Sequence, residues 1–265
     1  NVTAMLGHRS RTKSARQIIA ELDRMYQIGW RRNIFFVDDN FIGNRRELKE
    51  EILPALIEWR KGKAGSNFIT EASINLADDP KLMKMMTEAG FNSVFVGIET
   101  PDEDSLKECN KGQNIRRNLI DSVKTLQRNG LQVMGGFIVG FDNDTPGIFQ
   151  RQVDFIQKSG IVTAMVGMLQ APYGTRLYDR MQQEGRLVEE MTGNNADGST
   201  NIKPKMGADT LKKGYQALMN EIYSPKSFYT RVRTFLEEYN PPSAPVEIHF
   251  EEIYAFFRSV WRLAI

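Results

Sequence analysis

Two kinds of apolar pattern alternate along this chain. Five short runs (Ile34 to Val37, Phe68 to Thr70, Ser93 to Ile98, Leu131 to Val139 and Val162 to Leu169) are apolar with little polar alternation. That is how parallel strands buried on both faces read. Between them apolar residues recur at helical spacing. Ile18, Ile19, Leu22 and Met25 share one face of a helix that Ser14 can cap and that runs to about Tyr26. Leu48, Ile52, Leu56 and Trp59 do so from about Arg45 to Lys61, where Pro54 predicts a bend or break. Leu82, Met83, Met86 and Ala89 follow the helix start Asp79-Pro80. Further helices are predicted from about Asp102 to Glu108, from about Arg116 to Asn129, and from Thr145-Pro146 to about Lys158. Gly62, Gly90, Gly130 and Gly160 stand where helices end. Repeated strand–helix alternation predicts an α/β fold, a parallel barrel or half-barrel.

Each apolar run stops in polar residues. The first ends in Asp38-Asp39-Asn40, the next in Glu71 and Ser73, then Glu99, then Gly140 to Asp142, then Gln170 to Pro172. An unpaired carboxylate is costly to bury, so these acids are expected where the strands leave the core. The carboxyl ends of parallel strands are also where such folds carry chemistry. Asp38 and Asp39 alone could merely cap a helix and face water. The repetition favours convergence of Asp38, Asp39, Glu71, Ser73, Glu99, Asp142 and Gln170 on one face. Gly135, Gly136 and Gly140 mark either a close ligand approach or a tight bend, and the residues leave both open. They do not open a helix, so they are not a dinucleotide fingerprint.

After about Tyr178 the pattern changes. Thr192 to Thr200 is polar and turn-rich, and only helical patterns follow: about 208–222, 225–239 and 246–262, with Pro241-Pro242 between the last two. The chain divides into a barrel part, 1–185, and a helical part, 186–265, packed on the barrel or over its mouth. Phe256, Phe257 and Trp261 are expected in a core.

Composition narrows the chemistry. A net charge of +2 over 265 residues gives no argument for nucleic acid, and no apolar run is long enough to span a bilayer. Cys109 is the only cysteine, which excludes an internal disulfide and suits a reducing, cytoplasmic setting. It reads as a small buried residue rather than a nucleophile. His8 and His249 lack a second ligand at metal spacing, so no protein-held metal site is predicted. The carboxylates could hold Mg²⁺ with substrate oxygens, or bind the amine and hydroxyls of a polar ligand. Asn1 to Gly7 reads like the middle of a loop, which places the natural N-terminus upstream, and Ile265 ends the chain inside an apolar-rich segment.

Phe35-Phe36-Val37-Asp38-Asp39-Asn40-Phe41, Thr70 to Leu76, Val96-Gly97-Ile98-Glu99-Thr100-Pro101 and Gly135 to Phe141, in this order, resemble the radical SAM superfamily. More narrowly they resemble its cobalamin-binding subgroup with a C-terminal DUF4070 domain, which includes hopanoid methylases. The tail from Arg186, with Gly193-Asn194-Asn195 and Pro204-Lys205-Met206, resembles the DUF4070 part. The resemblance implies a partial parallel (β/α) TIM-like barrel, lacking its first strand and cluster loop, with a C-terminal helical extension.

By position, Asp38, Asp39 and Asn40 would hold the amino group of S-adenosylmethionine. Glu71, Ser73 and Glu99 would meet its carboxylate and ribose, Gly136 to Gly140 its adenine, and Gln170 to Pro172 would line the last strand end. The implied chemistry is reductive cleavage by a [4Fe–4S] cluster to a 5′-deoxyadenosyl radical. The electron comes from a donor such as flavodoxin or ferredoxin. In the subgroup, cobalamin then delivers a methyl group to an unactivated carbon of a small-molecule or lipid substrate. The family's CxxxCxxC cluster loop is absent here. The resemblance therefore implies a chain cut just after that loop, with any cobalamin domain further upstream, and inactive as it stands. No catalytic residue is assigned. A non-catalytic barrel module and a Mg²⁺-dependent aldolase-like barrel enzyme stay open as alternatives.

Overall fold

Five parallel strands stand side by side in chain order in the computed structural model, which describes residues 7, 11–63, 65–191, 193–194, 197–241 and 250–264. They are β1 (Ile34–Phe36), β2 (Phe68–Glu71), β3 (Phe91–Glu99), β4 (Gln132–Val139) and β5 (Ala164–Met168). The expectations for Asn1 to Leu6, His8, Thr192, Asn195, Ala196, Pro242 and His249 lie outside the described residues.

The connecting helices follow local chemistry. Helix α1 (Ala15–Gln27) starts at a capping box in which Ser14 and Gln17 exchange hydrogen bonds, so two orphan amides are satisfied. The next helical run changes pitch at a π turn, Leu48–Ile52, where the Leu53 amide donates to Leu48, and continues as α2 (Leu53–Arg60). Pro54 follows directly, so the predicted break is a widened turn. Helix α3 (Pro80–Ala89) is capped by Asp79 and stopped by Gly90 at φ 104°, a conformation that favours glycine. Then come α4 (Glu103–Glu108), α5 (Leu119–Arg128) and α6 (Ile148–Ser159). Helix α5 begins later than its apolar pattern suggests. Arg116 has φ 54°, and Asn118 provides the cap by accepting from the Asp121 amide.

Helices cover one face of the sheet. Val94, Val96, Ile98, Val133, Phe137, Val139 and Val166 are buried there, and Phe36, Phe41, Phe68 and Phe91 form an aromatic cluster of edge-to-face and tilted rings with centroids 5.0 to 5.7 Å apart. The other face is open. The first strand is therefore not buried on both faces, as its apolar run suggested: Phe35 is 47% and Val37 84% exposed. Beside it a cleft of about 980 Å³ is lined by Ile18, Leu22 and Met25 of α1 and by Phe35, and ends at Asp38 and Asp39; the outer edge of β1 has no strand partner among the described residues.

After β5 comes α7 (Arg176–Gln183), and the tail adds α8 (Ala208–Ile222), α9 (Pro225–Glu238) and α10 (Phe250–Ala264). Leu211, Tyr215, Leu218 and Ile222 of α8 are buried. Tail side chains also satisfy the outer edge of β5. The Tyr223 hydroxyl donates to the Ala164 carbonyl at 2.8 Å, and the Tyr215 hydroxyl donates to Val166 at 3.2 Å. Helix α9 is anchored by Arg231, a fully buried guanidinium with no carboxylate partner among its hydrogen bonds. It donates to Gln157 Oε1 (2.8 Å), the Ile222 carbonyl (2.7 Å) and the Val162 carbonyl (3.0 Å), and burial lowers its pKa. Helix α10 departs from expectation. Its aromatic residues are not in a core: Phe256, Phe257 and Trp261 are 63, 65 and 70% exposed. A helical apolar period reports amphipathicity and does not say what, if anything, covers the apolar stripe.

Candidate functional site

The strand ends assemble a charged site from four neighbouring loops. Asp38, Asp39 and Asn40 leave β1 exposed. Asn40 turns toward β2, where its Oδ1 accepts from the Ser73 amide at 3.0 Å and lies 3.2 Å from the Ser73 hydroxyl. Burial, then the charge of Asp39, pushes the Asp38 carboxyl above the usual carboxylate range. The same two causes raise Glu71, against the opposing pull of Lys111. Lys111 in turn pairs with Glu99, Nζ to Oε1 2.7 Å. The structure thus brings Asp38, Asp39, Asn40, Glu71, Ser73 and Glu99 together.

Lys111 is the residue the apolar and acidic patterns do not reveal. It sits in the turn after α4, and its amide donates to the Leu106 carbonyl at 2.9 Å. Asn114, buried in the same turn, donates from Nδ2 to the carbonyls of Gly97 (3.3 Å) and Ile98 (3.0 Å), which ties that turn to β3. Glu99 itself has φ 67°, an uncommon and strained setting for a side-chain-bearing residue. A β-carbon on Gly97 would stand 2.6 Å from Glu99 Oε1 and 3.0 Å from Lys111 Nζ, so a side chain there would push the ends of this ion pair aside.

The three glycines are placed differently. Gly136 pairs with Gly97 across β3 and β4 on the open face, and a β-carbon there would meet the Phe95 ring at 2.8 Å. Gly135 points to the helix side, packed under Phe137 and Ile161. Gly140 is placed apart from the charged site. It is buried with φ 101° beneath Leu211, and its amide is already bonded to Asp144 Oδ2 at 2.8 Å.

Two other expected members are engaged elsewhere. Asp142 is held by Arg186 in a bidentate pair at 2.6 and 2.9 Å, with Arg180 and Lys205 each at 3.4 Å. The Arg186 bond foremost keeps its carboxyl below the usual range. A carboxylate this saturated joins tail to barrel rather than waiting for a ligand. Gln170 turns its Nε2 to the carbonyls of Asn194 and Ser199, both at 3.3 Å. Pro172 lies at the same strand end, half-buried, its carbonyl accepting from the Thr175 hydroxyl at 2.7 Å.

Cys109 is half-buried, and burial first, then Glu99, pushes its thiol up to about 11. Iodoacetamide at about pH 8 should therefore alkylate Cys109 more than tenfold more slowly in the native chain than in the same chain unfolded in urea. Equal rates in mass-spectrometric time courses would contradict this environment. Among the described residues no group of three or more His, Cys, Asp and Glu side chains could hold a metal ion. No described helix is long and apolar enough to cross a membrane.

Two family profiles match the chain. The radical SAM superfamily profile matches residues 3–156, and the domain of unknown function DUF4070 matches residues 175–265. An uncharacterized methyltransferase from Synechocystis sp. is 41% identical over 240 residues, covering 89% of this chain and 45% of the relative. The hopanoid C-2 methylase of Rhodopseudomonas palustris is 37% identical over 232 residues, covering 87% and 43%. The chain thus spans less than half the length of these relatives. Among solved structures, the radical S-adenosylmethionine methyltransferase TsrM from Kitasatospora setae, with cobalamin and a [4Fe–4S] cluster bound, superimposes with a TM-score of 0.56 at 17% identity. That match covers 78% of this chain and 40% of TsrM, and it shows a shared fold.

Proposed function

Because the chain belongs to the radical SAM superfamily, we propose that its strand ends hold S-adenosylmethionine for reductive cleavage, as part of a cobalamin-dependent methyltransferase. The observation that carries this reading is the pairing of opposite charges: Asp38, Asp39 and Glu71 stand on one side, and Lys111 stands beside Glu99. That arrangement complements a zwitterionic amino acid head. The acids face its ammonium, and Lys111 exchanges Glu99 for its carboxylate. Gly97 and Gly136, paired across β3 and β4, would present backbone to the flat nucleoside once the Glu99, Lys111 and Phe95 side chains that lie over them turn aside.

When bound and reduced by one electron, S-adenosylmethionine supplies a 5′-deoxyadenosyl radical and methionine. The chain's residues fit that molecule but not the cluster. One cysteine, its thiol raised by burial, cannot supply three thiolates. The cluster ligands and any cobalamin domain are therefore assigned to sequence upstream of Asn1. The edge of β1, which has no strand partner among the described residues, and the cleft beside it offer a place for one further strand. No step through the cluster or cobalamin is derived from these residues. The substrate is a small molecule or lipid, and an electron donor such as a flavodoxin or ferredoxin completes the reaction.

The test is a calorimetric titration of the chain with S-adenosylmethionine and with 5′-methylthioadenosine, which lacks the amino acid head. S-adenosylmethionine should bind at least tenfold more tightly, as loss of a charge-assisted contact predicts. Equal affinity removes the charged-site reading. A chain extended upstream should gain a three-cysteine loop and cleave S-adenosylmethionine after anaerobic reconstitution. An extension without those cysteines sinks the radical reading.

The pH dependence has a definite sign. Carboxyls whose folded pKa is raised bind protons more readily folded than unfolded, so Asp38 and Glu71 favour the folded state most at low pH and lose that advantage as pH rises through their folded values. Ammonium binding needs them ionised and moves oppositely. Affinity for S-adenosylmethionine should fall as pH drops through the range just above an ordinary carboxylate pKa of about 4. A flat titration across that range would argue against these two groups as ligands.

A further inference from the structure

Glu99 stands at the centre of a tight turn. The Thr100 amide donates back to the Ile98 carbonyl at 2.9 Å, and Glu99 between them has φ 67°. That is the rare and strained form of the γ-turn. The strand register changes at the same place: Gly97 pairs with Gly136, but Glu99 pairs with Phe137. The turn carries a Glu99 carboxylate oxygen to 2.7 Å from Lys111 Nζ. Backbone strain of this kind persists only where the surroundings hold it.

Asn114 holds it. Its side chain is buried, and Nδ2 donates to the carbonyls of Gly97 at 3.3 Å and Ile98 at 3.0 Å. The Ile98 carbonyl is also the acceptor that closes the turn. The Asn114 backbone amide donates to the Lys111 carbonyl at 2.9 Å. One residue therefore grips the two peptides that lead into Glu99 and the peptide that follows Lys111. Its buried Oδ1 has no donor among the described residues. A buried acceptor without a donor is costly, so stability alone does not account for an asparagine here.

We propose that Asn114 is a positioning residue for carboxylate recognition. By fixing the backbone under both Glu99 and Lys111, it lets the Lys111 ammonium pass from the Glu99 carboxylate to that of an α-amino acid head while both backbones stay in place. This rests on the reading that the charged strand ends hold the zwitterionic head of S-adenosylmethionine. Before the ligand arrives, the ion pair itself helps to keep Glu99 in its turn. Once Lys111 turns to the ligand, that support is gone, and the Asn114 bonds to Gly97 and Ile98 keep the turn from relaxing. Lys111 carries its charge on a flexible stem, so the point where that stem starts decides what the ammonium reaches. A fixed starting point also reduces the ordering that binding would otherwise require.

The measurement is the calorimetric affinity of the chain for S-adenosylmethionine and for decarboxylated S-adenosylmethionine, which keeps the ammonium and the nucleoside and lacks only the carboxylate. The parent should prefer S-adenosylmethionine by about tenfold, the effect of one charge-assisted contact. Asn114→Ala should reduce that preference to about twofold, by weakening S-adenosylmethionine and leaving the decarboxylated ligand unchanged. A residue that merely supported the fold would weaken both ligands alike. Lys111→Met should remove the preference as well. Asn114→Ala added to Lys111→Met should then weaken S-adenosylmethionine no further, because Asn114 acts through the lysine. A folded Asn114→Ala that keeps the parent's preference overturns the proposal. So does one that weakens both ligands equally, and so does a further loss in the double variant. If Asn114→Ala does not fold, Asn114→Asp takes its place, with the same volume and a carboxyl that donates no more than one hydrogen toward the two carbonyls. An undiminished preference in that variant overturns the proposal. A parent that binds both ligands equally, yet more tightly than 5′-methylthioadenosine, overturns the carboxylate role and leaves the ammonium contact of the acids standing. A parent that binds none of the three overturns the underlying reading of the site.

Discussion

Asp38→Ala combined with Asp39→Ala is expected to weaken S-adenosylmethionine binding about a hundredfold, two charge-assisted contacts at about tenfold each. Both residues are exposed, and Asp38 carries a raised pKa caused by burial and by Asp39. Their like charges repel one another, so removing them should leave the unfolding midpoint unchanged or slightly higher. That combination of lost affinity with retained stability is the signature of a ligand-binding pair. Affinity within about twofold of the parent would refute the role. A parallel loss of stability would make the acids structural instead. Single variants divide the effect: Asp39→Ala should also lower the pKa of Glu71, because Asp39 raises it.

Arg231→Ala is expected to cost about 3 to 5 kcal/mol of folding stability, because it leaves three acceptors without their donor and opens space in a fully buried position. Gln157 Oε1, the Ile222 carbonyl and the Val162 carbonyl all lose their bond at once. The ring faces of Tyr223 and Phe228, with centroids 5.5 and 5.6 Å from the guanidinium carbon, lose their neighbour too. Against the roughly 5 to 15 kcal/mol that holds a typical domain together, this is a large fraction. Urea unfolding measures it, and a change below about 1 kcal/mol would show that the surroundings relax or admit water. Arg231→Lys should recover only part, since one ammonium cannot reach three acceptors in the planar geometry of a guanidinium.

How legible these features are in sequence depends on the range over which each is determined. The strands and most helix ends are local matters: an apolar run, a Ser14 or Asp79 cap, a Gly90 stop. The acids at the strand ends are legible for the same reason, since an unpaired carboxylate must leave the core. An apolar run does not distinguish one covered face from two, so the open side of Phe35 and Val37 is invisible in it. Asp142 resembles the other strand-end acids until Arg186, 44 residues later, occupies it. Lys111 lies in a polar turn that reads as solvated, and only the fold carries it back to Glu99. The exposed aromatic stripe of α10 is the mirror case, in which the pattern is correct and the inferred neighbour is not found.

The two margins of the sheet are unequal. Along β5 and the three residues after it, Tyr223, Tyr215, Thr200 and Asn201 occupy backbone groups with side chains, while β1 ends the strand order with no partner beyond it among the described residues. Templated fibre growth needs a free margin at each end of every copy, so that each addition exposes a new one. Here the stopper on β5 removes one of the two. Strand-by-strand growth through the sheet is therefore blocked on the β5 side.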